Sequence, residues 1–262
     1  PVQVLGGLTF ASLTTGQRHV CALTDSGDAW CWGAYASGQL GNDAGSDQTQ
    51  PSRSAETLTL TSIVASGANT CGLDADGDAW CWGNNTFGQL GNGTKTNVRQ
   101  PVPGRVDASV AFSALALART HACGLDADRA AWCWGSNDAG RLGDGGTDDQ
   151  LTPAAVAGAH AFVDITGGIS HTCARDADGA AWCWGHNATG QLGDGTEEHA
   201  SSPVAVSGDL MFSALAPGEE YTCGLTTDGV AHCWGSNRAG WLGDGTMDAR
   251  LEPTPVLAPS AG

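Results

Sequence analysis

Lysine is almost absent from this sequence: Lys95 is the only one, and eleven basic residues stand against 28 acidic ones. The resulting formal net charge of −17 repels phosphate groups, which argues against nucleic acid and anionic membrane surfaces as partners. No segment approaches the roughly 18 consecutive apolar residues that a membrane-spanning helix needs. We therefore expect a chain that neither binds nucleic acid nor inserts into a membrane.

The usual sequence marks of catalysis and of zinc binding are also missing. There is no Gly-x-Ser-x-Gly elbow, no His-Glu-x-x-His helix, no phosphate-binding loop and no closely spaced Cys-x-x-Cys knuckle. Asp74, Asp76 and Asp78 surround Gly77 in a pattern superficially like a calcium loop, but a three-residue turn gathers few oxygens, and aspartate is common in turns. The interpretation is a protein that is not an enzyme, without a cofactor or metal site; calcium at the Asp-rich turns is the alternative.

Cysteine, by contrast, is abundant. The chain has ten cysteines in five pairs, and the members of each pair are ten residues apart: Cys21/Cys31, Cys71/Cys81, Cys123/Cys133, Cys173/Cys183 and Cys223/Cys233. An even number at one fixed spacing predicts a disulfide framework formed in an oxidising compartment. We therefore expect an extracellular, cell-surface or periplasmic protein.

The cysteine pairs mark an internal repeat, which fixes the architecture of the whole chain. One domain over residues 1–262 consists of repeats at approximately 1–50, 51–100, 101–152, 153–202 and 203–252, with a tail at 253–262. Prolines mark the joins, at Pro1, Pro51, Pro101, Pro153, Pro203 and Pro253.

Inside each repeat the pattern alternates with a period of two, which indicates strands. A three-residue loop at 25–27 pairs Thr24 with Asp28 and places Cys21 directly opposite Cys31, so the hairpin and the disulfide predict each other. Such a loop ends in a left-handed residue, which favours glycine. Glycine occupies this place at Gly27, Gly77, Gly179 and Gly229. Repeat three has Arg129 there, so we expect its turn to be strained or differently built.

Two further strands complete each repeat. One surrounds an apolar pair such as Phe10/Leu13, and the other is a Pro-x-x-Val stretch such as Pro153–Val156. Four short strands per repeat with periodic glycine and aromatic residues are typical of a propeller. The predicted fold is all-β: a β-propeller of five four-stranded blades with one disulfide per blade, and tryptophans filling the space between blades.

The recurring residues resemble a known family. Cys-Ala-Leu, Asp-Gly, Trp-Gly-x-Asn and Gly-Gln-Leu-Gly-Asp-Gly-Thr are similar to the regulator-of-chromosome-condensation repeat in its cysteine-bearing bacterial form, and the match spans all five repeats. The resemblance implies four-stranded blades around a central channel. Familiar members have seven blades, whereas this chain offers five. Nucleotide exchange and chromatin binding are not expected of a chain that is acidic, disulfide-bonded and without a basic tail.

Two stretches vary between repeats: the residues directly after each Trp-Gly and a second segment before each joining proline. If the strands hold the frame, binding specificity belongs to these loops. Tyr35, Phe87, Arg238 and Trp241 are the predicted binding residues, on one rim. Three histidines share a repeat position that Asn69 and Tyr221 fill elsewhere, which favours hydrogen bonding to a neighbouring blade over catalysis: His19, His121 and His171.

The first hypothesis for function is a secreted or cell-surface module that binds a protein or a glycan through one rim. The alternative is a structural subunit or spacer of an extracellular assembly, and an enzyme is a third possibility. We expect a monomer whose terminal segment closes the ring. An open arc would instead have to cover two sheet edges by dimerising.

Overall fold

A computed structural model describes Val4 and residues 7–257. Within that part of the chain, twenty β-strands account for nearly all regular structure, and one short 3-10 helix lies at Asp138–Gly140. The strands are β1 Ser12–Thr15, β2 His19–Leu23, β3 Ala29–Gly33, β4 Gln48–Ser54, β5 Ser62–Ser66, β6 Asn69–Leu73, β7 Ala79–Asn85, β8 Thr96–Arg105, β9 Phe112–Leu117, β10 His121–Asp126, β11 Ala131–Gly135, β12 Gln150–Ala155, β13 Phe162–Gly167, β14 His171–Asp176, β15 Ala181–Gly185, β16 Ala200–Ala205, β17 Phe212–Pro217, β18 Tyr221–Thr226, β19 Ala231–Gly235 and β20 Arg250–Pro255.

The strands form five four-stranded antiparallel sheets, each built from four consecutive strands. These sheets are blades one to five of a β-propeller, which confirms the predicted fold class. The chain divides into two compact units: Pro1–Ala127 with Trp134–Ser136 and Asp149–Pro153, and Asp128–Cys133 with Asn137–Asp148 and Ala154–Gly262. Blades one and two belong to the first unit, and blades four and five to the second.

The five joining prolines from Pro51 onwards lie inside strands. Pro51 lies in β4, which pairs with the preceding β3 through Cys31 opposite Ser52, so this strand completes blade one. In the same way β20 pairs with β19 and completes blade five, so residues 253–255 of the expected tail belong to this strand. The Pro-x-x-Val stretch at residues 1–4 lies outside the described residues apart from Val4.

Each cysteine pair lies across the central hairpin of its own blade. In blade one Cys21 is directly opposite Cys31, and in blade four Cys173 is directly opposite Cys183, with 4.1 Å between the Cα atoms in both pairs. The same register recurs in blades two and five. The five predicted disulfides are therefore confirmed, one per blade: Cys21–Cys31, Cys71–Cys81, Cys123–Cys133, Cys173–Cys183 and Cys223–Cys233.

The hairpin turns close largely as predicted. In blade one the Thr24 N–H donates to the Asp28 carbonyl, and Gly27 has a φ of +80°. Arg129 has a φ of +67°, so repeat three places an arginine in the left-handed region where the other repeats have glycine. The expected strain at this turn thus has a backbone basis.

The fourth strand of a blade pairs less regularly than the hairpin, which corrects the strict period of two predicted for the whole repeat. In blade four, Val204 lies opposite Cys183 but Ala200 lies opposite Gly185, so four residues of β16 span two of β15. The same register shift follows the second cysteine in blades one, two and five. It coincides with a φ of +109° at Gly185, because a left-handed residue bends the strand and interrupts the alternation.

Two of the turn glycines allow backbone strain to be separated from crowding. Gly27 and Gly229 both have a positive φ, but a Cβ at Gly27 would lie 2.7 Å from the Leu60 carbonyl oxygen, whereas a Cβ at Gly229 would meet nothing within 4 Å. We expect Gly229→Ala to lower the free energy of unfolding by about 1 kcal/mol through strain alone. Gly27→Ala should cost about 2 to 3 kcal/mol, because the Leu60 carbonyl must also move. Urea denaturation followed by circular dichroism measures both, and equal losses would contradict this account.

Neighbouring blades interlock through a tryptophan of the third strand. Trp82 of blade two is fully buried against blade one, and its indole Nε1 donates to the Gln39 carbonyl at 3.0 Å. Its ring lies so close to Gly41 that a Cβ there would be 2.7 Å from Nε1. The same hydrogen bond links Trp134 to Gln89 and Trp234 to Gln191, whereas the indole nitrogen of Trp184 is buried without a hydrogen-bond partner among the described residues. We call this contact a blade joint: each blade presents a knob face carrying the tryptophan, and a socket face carrying the acceptor carbonyl and the glycine.

A polar relay accompanies the joint between blades one and two. The Thr70 hydroxyl donates to the Gln39 carbonyl at 2.9 Å, so Thr70 must accept its second bond, at 2.8 Å, from the Nε2–H of His19. The blade-four to blade-five joint repeats this arrangement with His171, Thr222 and Gln191. These contacts show two of the predicted histidines binding to the next blade.

Candidate functional site

The long loops of all five blades leave the same end of their sheets. They join the third and fourth strands at residues 34–47, 86–95, 136–149, 186–199 and 236–249. Because the strands are antiparallel, these loops emerge beside the short turn between the first two strands, and the disulfide hairpins close at the opposite end. The loop end of each blade therefore carries the longest variable segments.

A buried asparagine stiffens these loops from within. In blade four, Asn187 accepts from the Leu192 N–H at 2.9 Å and donates to the Thr196 carbonyl at 3.1 Å and to Asp194 at 3.2 Å. Asn237 makes the equivalent three contacts in blade five. The Asp-Gly-Thr segment of this loop is a turn, in which the Thr196 hydroxyl donates to Asp194 at 2.9 Å. These bonds hold the loop backbone, while outward side chains can vary.

Tyr35 takes the place of that asparagine in the first long loop. Its side chain is only 2% exposed, its hydroxyl donates to Asp43 at 3.0 Å, and its N–H donates to Asp47 at 2.9 Å. Tyr35 is therefore part of the internal support of the loop rather than an exposed aromatic group. The repeat frame held the signal, because Tyr35 occupies the position of four buried asparagines: Asn85, Asn137, Asn187 and Asn237.

Arg99 covers the Tyr35 ring and was not among the predicted site residues. Its guanidinium carbon lies 5.0 Å from the ring centroid, and the residue is exposed. It reaches this place because blade two has an extended hairpin, in which β7 and β8 continue to pair as far as Asn85 opposite Thr96. Stacking on a buried aromatic ring restrains the guanidinium while leaving its N–H groups available to a ligand.

A small cleft lies between the first long loop and this extended hairpin. We call it the blade-two cleft; its volume is about 70 Å³, and it is lined by Ala36, Ser37, Asn84, Asn85, Thr86, Thr96, Asn97, Val98 and Arg99. Phe87 follows directly on this lining and is 38% exposed, with the Lys95 ammonium 5.7 Å from its ring centroid. Lys95 also pairs with Asp149 at 2.7 Å. The cleft thus combines amide and hydroxyl groups with an aromatic ring and two of the few basic residues.

The remaining two predicted residues, Arg238 and Trp241, both lie in the fifth long loop. Arg238 is exposed on the fifth long loop, 3.5 Å from a Glu220 carboxylate oxygen, as expected of a loop residue. Trp241 is 45% exposed and lies against Tyr221, with 5.6 Å between ring centroids. Its repeat position is that of Gln39 and Gln191, so Trp241 belongs to the socket face of blade five.

Two titratable groups of the long loops have shifted pKa values. Burial first, then His199 and Arg141, lowers the pKa of His186 in the fourth long loop. In the fifth, hydrogen bonding by Arg250 holds the pKa of Asp244 at about 2. Among the residues that the structure describes, no cluster of His, Cys, Asp or Glu could hold a metal ion, and no helix is long and apolar enough to cross a membrane.

Comparison with known proteins agrees with the propeller fold described above. The family model described as the RCC1-like domain matches residues 1–261. Comparison with curated proteins finds no match.

Several solved structures share the fold. Human WBSCR16 superposes with a TM-score of 0.81 at 19% identity, covering 95% of this chain and 67% of that one. Prp20p from Saccharomyces cerevisiae, studied for its binding to Gsp1p and histones, gives 0.61 at 19% identity and covers 95% and 77%. The CRINKLY WD40 ectodomain of the Arabidopsis thaliana receptor kinase ACR4 gives 0.57 at 20% identity and covers 90% and 66%. At these identities the similarity establishes the fold.

Proposed function

The chain belongs to the family of RCC1-like domains, and from that premise we propose that it is an exported binding module that recognises a protein or a glycan through its long loops. The observation that carries this proposal is that buried and exposed side chains have different roles within the long loops. Buried Asn and Tyr side chains fix the backbone, while exposed residues differ from blade to blade. A rigid frame with variable exposed residues is how repeat proteins build binding surfaces.

The blade-two cleft is the proposed contact. Phe87 offers an apolar ring, Arg99 a restrained guanidinium, and Asn97 an exposed amide, a combination that suits sugar hydroxyls or a peptide backbone. Binding rather than catalysis fits this set, because the lining residues include no carboxylate, histidine or lysine that could act as a general base for the Ser and Thr hydroxyls.

Export is proposed on the disulfides. Every one of the ten cysteines is paired within its blade, and such a framework persists in oxidising compartments. The acidic surface, with a net charge of −17, suits a soluble exported protein and disfavours phosphate-rich partners.

The test is capture with matched variants. Immobilised wild-type chain is exposed to a glycan array and to fractionated native culture medium, and retained ligands are titrated against Phe87→Ala/Arg99→Ala. We expect at least about tenfold weaker binding by this variant. Asp25→Ala, at an exposed hairpin turn on the opposite end of blade one, is the control and should bind normally. Arg238→Ala reports on the fifth loop. A retained ligand whose affinity falls for Asp25→Ala, but not for Phe87→Ala/Arg99→Ala or Arg238→Ala, would contradict the proposal.

A further inference from the structure

The socket face of blade five is fully built and exposed. Leu225 is 43% exposed, whereas its counterparts Leu23 and Leu73 are 4% exposed beneath the next blade. Gly243 occupies the repeat position of Gly41, which lies against Trp82 in the first joint. Gly243 is exposed, and a Cβ there would meet only Val256 of its own blade. Val230 at 41% and Trp241 at 45% extend the same apolar surface. This face has the shape of the sockets that bury a tryptophan elsewhere in the chain.

The knob face of blade one is exposed in the same way. Trp32 is partly exposed, whereas its counterparts in the other four blades are all 0% exposed: Trp82, Trp134, Trp184 and Trp234. Leu13 is 69% exposed, but its counterpart Ile63 is 7% exposed and packs in one cluster with Leu23 of the preceding blade. One chain therefore carries both halves of a blade joint, each without the cover that the joint provides.

The side chains of these two faces also match by a rule that the internal joints follow. Where the knob face supplies a threonine, the socket face supplies a histidine that bonds to it, as in His19 with Thr70. Where the knob face has Ala122, which lacks a hydroxyl, the socket position holds Asn69 instead, and the Trp134 to Gln89 hydrogen bond still forms at 3.1 Å. The two exposed faces carry Val20 and Tyr221 at these positions, a knob without a hydroxyl and a socket without a histidine.

We propose that this chain associates head to tail, with the knob face of blade one of one copy docked on the socket face of blade five of a second copy. Trp32 would then lie against Gly243 and donate its indole N–H to the Trp241 carbonyl, the position used by Gln39 in the first joint. Leu13 of one copy would pack on Leu225 of the other. The contact is heterologous, so each added copy again presents one knob face and one socket face. The occupant is a second copy, because blade one of this same sequence supplies the matching half-joint.

The decisive experiment uses two variants that each disable one face. Leu225→Glu places a charge on the socket face and leaves the knob face intact; Leu13→Lys does the reverse. Both side chains are exposed within a single chain, so folding should be preserved, which circular dichroism and thermal melting check. In light scattering, the wild type should exceed the 26.5 kDa monomer mass in a concentration-dependent manner, while each variant alone stays a monomer. An equimolar mixture of the variants should form a dimer of twice that mass.

Every other outcome overturns the proposal. A monomeric wild type would mean that these faces belong to another partner. A wild type that associates while the mixture stays monomeric would place self-association on another surface. Val102→Glu, at a side chain that is 62% exposed on β8, is the control and should associate like the wild type.

The fifth disulfide offers a second readout of the same face. Cys223 is partly exposed on blade five, whereas its counterpart in blade four, Cys173, is 0% exposed. Reduction of the native protein by a phosphine, followed by alkylation and peptide mapping, should label Cys223 and Cys233 first in the Leu13→Lys variant, whose socket face stays open. In concentrated wild type this labelling should slow severalfold. Equal labelling rates would argue against docking at blade five.

Discussion

Lowering the pH from about 7.5 to about 4.5 is expected to reduce the free energy of unfolding by roughly 5 kcal/mol through two buried histidines alone. Burial lowers the pKa of His19 to about 4, and burial, with smaller contributions from His186 and Arg141, lowers the pKa of His171 to about 3. Each Nε2–H donates to a threonine of the next blade, and each Nδ1 is buried without a hydrogen-bond partner among the described residues. A proton added at Nδ1 would therefore be an uncompensated buried charge.

The sign follows from proton uptake. The unfolded chain binds a proton at each histidine as the pH falls below the ordinary value of about 6.5, whereas the folded chain resists until its lowered pKa is reached. Stability from these two groups is thus complete above pH 6.5 and declines as the pH falls towards about 4 for His19 and about 3 for His171. Asp244, whose pKa is lowered from 3.8 to about 2, loses its contribution only as the pH falls through that range, so its window overlaps that of His171 only below about pH 4.

The chain itself suggests the control. Blade two has Asn69 at the position of His19, so the double variant His19→Asn/His171→Asn places a residue already found there. At about pH 7.5 it should be less stable, because each lost buried hydrogen bond contributes about 1 kcal/mol. Between pH 6.5 and 4.5 its stability should fall far less than that of the wild type. The free energy of unfolding is measured by urea titration at a series of pH values. If it falls with pH equally in the wild type and in the double variant, groups other than these histidines control the transition.

The central hairpins were predictable because the evidence for them is local. Two cysteines ten residues apart lie symmetrically about a turn, so pairing one strand with the next brings them together without reference to the rest of the chain. The phase of the repeat was not predictable in this way. Periodicity defines how long a unit is but not where it begins, since any starting point gives the same spacing. The structure resolves the choice by pairing the Pro51 strand with β3, which precedes it.

The candidate site was only partly predictable, because exposure depends on contacts that a residue type does not reveal. Tyr35 and Phe87 are both aromatic residues in long loops, yet the first is an internal support and the second lies open beside the cleft. Comparing repeat positions would have identified Tyr35 as a substitute for asparagine. No sequence signal pointed to Arg99, since its position depends on the local extension of β7 and β8 beyond the length found in the other blades.

Trp241 shows the same limit at the level of whole blades. A tryptophan in a variable loop suggests an anchor for a ligand, and its repeat position suggests a blade joint. Which description applies depends on whether another blade covers the position. The repeated motif alone does not tell whether this position is covered or exposed in blade five. In the structure Trp241 lies at the socket face of blade five, so its exposure is a property of that face rather than of the loop rim.

The blade joint itself leads to the second large effect, which compares Trp82 with Trp32. Trp82 is fully buried and bonded to the Gln39 carbonyl, whereas Trp32, in the same frame one repeat earlier, is partly exposed beside Phe10. Trp82→Ala should lower the free energy of unfolding by about 3 to 5 kcal/mol, because it removes a large side chain from a close-packed joint. In dilute protein Trp32→Ala should cost no more than about 2 kcal/mol, since only part of its apolar area is lost from burial.

Two further measurements separate the physical causes. Trp82→Phe keeps an aromatic ring in the joint but removes the indole N–H, so its loss relative to Trp82→Ala divides packing from the hydrogen bond to Gln39. Unfolding should be followed by far-ultraviolet circular dichroism, because ten tryptophans make fluorescence ambiguous. Equal losses for Trp82→Ala and Trp32→Ala in dilute protein would contradict the joint as described, since both would then be buried alike. A cost for Trp32→Ala that grows with protein concentration would instead tie its ring to a second copy, because association buries what the single chain leaves exposed.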